Sequence, residues 1–106
     1  MITILVVGPR ELVTAFAEPD PSVEVLFASD LEDALEKLAR NRRVDAVLLV
    51  GRPAEAAALA REIRAEDPAG PPLFVPDGAG PIPHADRLPD GPLEALAAEI
   101  VRRLEP

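Results

Sequence analysis

Cysteine is absent, which excludes disulfides, thiolate nucleophiles and zinc sites of the usual cysteine type. Tyr and Trp are absent too, and the three Phe are too few to build a stacking platform for nucleic-acid bases. Positive charge is in deficit: 11 Lys plus Arg against 19 Asp plus Glu leave a formal charge of -8. That sign repels nucleic acid and anionic membrane surfaces, so direct nucleic-acid binding is not expected. No apolar run approaches the ~18 residues that span a bilayer. The chain opens ITILVVG, without a basic n-region or a small-residue cleavage site, and we expect a cytoplasmic protein with no signal peptide. Gln is missing, Asn41 is the only Asn, and Lys37 is the only Lys beside ten Arg. With 13 Pro, this composition suits a thermophile, although a GC-rich genome produces the same Arg and Ala enrichment without selection for heat.

At 106 residues with 48% hydrophobic and 28% charged side chains, the chain has the size and balance of one globular domain. Residues 2–7, ITILVV, form an apolar run rich in β-branched residues that stops at Gly8, the pattern of a strand buried on both faces of a parallel sheet. Pro9, Leu12, Ala15 and Phe16 then follow helical spacing until Pro19 and Pro21 close the segment. Residues 22–27, SVEVLF, predict a second short strand in a more peripheral position. Ser29 and Glu32 match a capping box, and Leu31, Ala34, Leu35, Leu38 and Ala39 repeat at the spacing of one buried helix face.

Residues 44–50, VDAVLLV, predict another strand, ended by Gly51. Pro53 starts a helix with Ala56, Leu59, Ala60 and Ile63 on one face, and the alanines there imply close packing on the sheet. Residues 72–75, PLFV, give a fourth strand, and a final helix from about Pro92 to Leu104 buries Leu93, Leu96, Ala97, Ile100 and Leu104. Between them, residues 76–92 hold five Pro and three Gly, leaving room only for a brief extended piece near Ala85 to Leu88. Strand and helix alternate throughout, so the expected architecture is an α/β sandwich on a parallel sheet with right-handed crossovers.

This pattern resembles the receiver domain of bacterial response regulators over nearly the whole chain. ITILVVGPREL resembles the receiver's first strand and helix start, VDAVLLVGRP its third strand, and RLPDGPLEAL the segment joining its fifth strand to its last helix. The resemblance implies a flavodoxin-like three-layer α/β/α sandwich of four to five parallel strands in order 2-1-3-4-5, here with the fourth helix replaced by the Pro/Gly-rich loop. Receiver chemistry uses an acidic pair after the first strand, an aspartate ending the third, a hydroxyl residue ending the fourth and a lysine ending the fifth. The corresponding positions are Gly8 and Pro9, Val50, Asp77 and Leu88, and each departs from the pattern. Valine cannot accept a phosphoryl group, and Gly8-Pro9 supplies no oxygen ligands for a hard cation. The resemblance thus implies a degenerate, phosphorylation-independent pseudo-receiver, with no cofactor or metal and no enzymatic activity expected.

Open α/β sheets bind ligands beyond the carboxyl ends of their strands, beside helix amino termini that favour anions. Three such ends read Gly8-Pro9-Arg10, Gly51-Arg52-Pro53 and Asp77-Gly78-Ala79-Gly80. Arg10 and Arg52 flanking this crevice, with Gly78 and Gly80 allowing close backbone approach, could hold a phosphate, a carboxylate or a nucleotide phosphate. The plainer reading has both arginines solvated or paired with Asp77, Glu11 or Glu55, and the glycines simply ending strands. It stands first, because short Gly/Arg/Pro turns are common and GAG is not a full dinucleotide fingerprint. His84, the only imidazole, would need Asp86 or Asp77 beside it to act as a base or ligand, and otherwise reads as an exposed loop residue.

With no output domain expected beyond residue 106, the anticipated role is a stand-alone module that binds a protein partner or a second copy of itself. The last helix and residues 76–92 are the expected surface, with Ile82 and Leu88 as apolar contacts. The rival expectation is a sensor or carrier of an anionic small molecule at Gly8, Arg10, Gly51, Arg52, Asp77, Gly78 and Gly80. A third is a small enzyme using Asp77 and His84.

Overall fold

A computed structural model describes residues 2–8, 23–40, 44–50, 53–68, 70–76, 82, 84–89 and 93–104. Its elements are β1 (Ile2–Val7), β2 (Val23–Ala28), α1 (Leu31–Arg40), β3 (Ala46–Leu49), α2 (Pro53–Glu66), β4 (Leu73–Pro76), β5 (Ala85–Leu88) and α3 (Leu93–Leu104). The five strands form one sheet in the order β2-β1-β3-β4-β5, and every pairing is parallel. The fold is a flavodoxin-like α/β arrangement, and the extended piece at 85–88 is a true fifth strand. The helix expected after Pro9 lies outside the described residues, as does most of the loop expected in place of a fourth helix.

Two apolar layers follow from the period-2 alternation of the strands. On one face, Leu5, Val7, Val47, Leu49, Leu73 and Val75 are buried with Ala34 of α1 and with Ala56, Ala60 and Ile63 of α2. On the other, Ile4, Val6, Ala46, Leu48, Val50, Phe74 and Leu88 are buried with Leu96 and Ile100 of α3. The central strands β1 and β3 are thus apolar on both faces, which is why their sequences read as continuous runs. On α1, Leu31, Leu35 and Leu38 pack against the core while half-buried, whereas Ala39, expected on the buried face, is exposed.

Local polar contacts set where elements begin and end. The cap of α1 is Asp30, one residue later than the expected Ser29: its Oδ1 accepts the Asp33 N–H at 2.8 Å, and its carbonyl accepts the Ala34 N–H at 3.0 Å. β2 runs on through Ala28, and the next-but-one residue, Asp30, caps the helix that starts at Leu31. At the opposite end of the sheet, Asp45 brackets Thr3: the Asp45 N–H donates to the Thr3 carbonyl at 2.8 Å and its Oδ2 accepts the Thr3 N–H at 2.8 Å. A side chain thereby finishes the β1–β3 ladder where β3 has not yet begun.

Candidate functional site

In the strand order 2-1-3-4-5 the direction of sheet growth reverses between β1 and β3, and their carboxyl ends mark the crevice where such sheets bind ligands. Two described residues stand there, Gly8 after β1 and Val50 after β3, and both are buried. The Gly8 N–H donates to the Ala28 carbonyl at 3.0 Å and the Val50 N–H to the Val7 carbonyl at 2.9 Å, so the backbone at this end is tied into the sheet. Val50 lies directly against Gly8. A Cβ on residue 8 would stand 2.3 Å from Val50 Cγ2 and 2.7 Å from the Val50 carbonyl oxygen, so only glycine fits. The floor between the two central strands is therefore glycine backbone sealed by a valine side chain, with no carboxylate or hydroxyl from either residue.

The other residues expected at this crevice, Arg10, Gly51, Arg52, Asp77, Gly78 and Gly80, lie outside the described residues. His84 and Asp86 are exposed, and no group of three His, Asp or Glu side chains converges as a metal site among the described residues. His84 has a structural role in its turn. The Ala85 N–H donates to the Ile82 carbonyl at 3.3 Å, closing residues 82–85 into a turn whose third residue, His84, has a φ of 66°. His84 thus takes the left-handed conformation that favours glycine, immediately before β5.

The expected contact residues Ile82 and Leu88 are not surface groups. Ile82 is 7% exposed and belongs to the layer beneath α1 and α2, while Leu88 is 1% exposed and belongs to the layer beneath α3. Ile82 brings apolar area from the connection 77–84 onto the same face as α1 and α2, and Leu88 points inward because it falls on the even parity of β5. A carboxylate placed at either position would bury an unpaired charge and report on folding, so neither residue can serve as an exposed docking contact.

The exposed side of this region is instead polar and partly occupied. Val47 N–H donates to the Pro72 carbonyl, which turns the backbone of Pro72 and Phe74 toward β3 and, by alternation, that of Leu73 and Val75 toward β5. In β5 the backbone of Asp86 then faces β4, and that of Ala85 and Arg87 faces outward. The Ala85 N–H is taken by Ile82, and the Arg87 carbonyl accepts from Arg103 Nη1 at 3.2 Å. Arg103 is held by Glu99, whose Oε1 accepts its Nε at 3.1 Å while the same carboxylate pairs with Arg102. These guanidinium contacts from Arg102 and Arg103 hold the Glu99 carboxyl down at about 2. Besides Arg102 of this cluster, α3 presents Ala95 and Ala98 to solvent.

Arg64 carried no signal in its neighbourhood beyond its place in the last turn of α2, yet it organises the approach to β4. Its guanidinium donates to the carbonyls of Asp67 at 3.2 Å, Gly70 at 3.1 Å and Pro71 at 2.7 Å. Ion pairs at i, i+4 spacing form along α1, Asp33–Lys37 and Glu36–Arg40, each at 2.9 Å. The Lys37 ammonium beside Asp33 holds that carboxyl below its usual value. Among the described residues no helix is long and apolar enough to cross a membrane.

The sheet order, the two helical layers and the glycine-valine floor define a flavodoxin-like α/β domain whose central strand ends are apolar. No family model matches the chain, and a search of curated proteins finds no match either.

Proposed function

We propose that this chain is a phosphorylation-independent pseudo-receiver, a cytoplasmic protein-interaction module without catalytic activity that binds a protein partner or a second copy of itself. The observation that carries this reading is the contact of Val50 with Gly8. In a sheet of this order, that is where ligand and phosphoryl chemistry would be expected, and a valine closes it. The net charge of -8 supports a protein partner over nucleic acid or an anionic membrane. With Ile82 and Leu88 buried, the surface left for contact is the outward side of α3, Ala95, Ala98 and Arg102, together with the exposed Asp86 and Arg87 of β5.

The reading has a direct chemical test. Incubation with a small-molecule phosphodonor and magnesium, followed by intact-mass measurement, should yield no covalent phosphoryl adduct. In sedimentation velocity, any concentration-dependent self-association should be lost in Ala98→Arg while the thermal unfolding curve stays in place. A stable phosphoryl adduct would overturn the proposal; association unaffected by Ala98→Arg would move the contact away from α3.

A further inference from the structure

We draw no further inference here: the strongest candidate, the outer edge strand β2 that carries the partly exposed Phe27, has nothing in the structure to show what covers it.

Discussion

Gly8 is required for space, not for backbone conformation. Any Cβ there meets both a methyl group and the backbone carbonyl oxygen of Val50, and a backbone atom cannot swing aside as the end of a flexible side chain can. Gly8→Ala should therefore destabilise the domain by about 1–3 kcal/mol, the usual cost of overpacking. Val50→Ala in the same chain should relieve only the methyl clash, so a double-mutant cycle measured by urea denaturation should show partial rescue. Full additivity of the two losses would mean that the residues are not in contact. Arg64 makes a second prediction at this scale. Three hydrogen bonds from one guanidinium join the end of α2 to the start of β4, and Arg64→Ala should cost roughly 1–3 kcal/mol. Lysine, with a single ammonium in place of the planar fork, should recover only part of that loss. Equal stability of the Lys variant and the parent in thermal melts would show that the fork geometry is not used.

At the scale of elements, α3 is held to the edge strand by a chain of contacts that runs from Glu99 through Arg103 to the Arg87 carbonyl. Because the Glu99 carboxyl sits lowered to about 2 from its ordinary 4.5, its contribution is present above the unfolded value and is lost as pH falls through the folded one. Glu99→Gln should therefore flatten the acid side of the melting-temperature profile between about pH 4.5 and 2, with little change in its slope above that window. A parent and a variant with parallel acid limbs would show that the carboxylate is not paired in solution. The same contacts blunt β5 as a pairing edge. An antiparallel hydrogen-bonded pair needs both the N–H and the carbonyl of one residue, and Ala85 and Arg87 each have one of the two engaged within the chain.

Legibility differed between elements for physical reasons. β1 and β3 could be read because a strand apolar on both faces leaves an unbroken run, and α1 and α2 because burial repeats at helical spacing. The cap of α1 was misplaced by one residue because Ser29 and Asp30 are both good caps, and the choice between them is made by where β2 ends. Ile82 and Leu88 were misread for a different reason. They lie in a Pro-rich stretch with no periodicity, and only the register of Leu88 opposite Pro76 settles which way it points. Arg64 could not be found from sequence, since its partners are carbonyls, which every residue carries.

For the molecule as a whole, parallel pairing follows from the alternation of strands and helices, whereas the order 2-1-3-4-5, which the sheet has, was implied by the resemblance to receiver domains and not by the alternation itself. Of the candidate site, the sequence already put Gly8 and Val50, neither of them acidic, at the ends of β1 and β3, while the packing of Val50 onto Gly8 depends on the parallel register of those strands, and Arg10, Gly51, Arg52, Asp77, Gly78 and Gly80 lie outside the described residues. Fold alone does not set function, which depends on what this crevice can bind. The most direct measurement is a set of amide NMR spectra of the labelled protein during addition of phosphate, a nucleotide panel, and magnesium with beryllofluoride. The Gly8 and Val50 amides should stay in place under all three. Localised, saturable shifts at Gly8 and Val50 with any of these anions would contradict this and make the protein an anion-binding sensor.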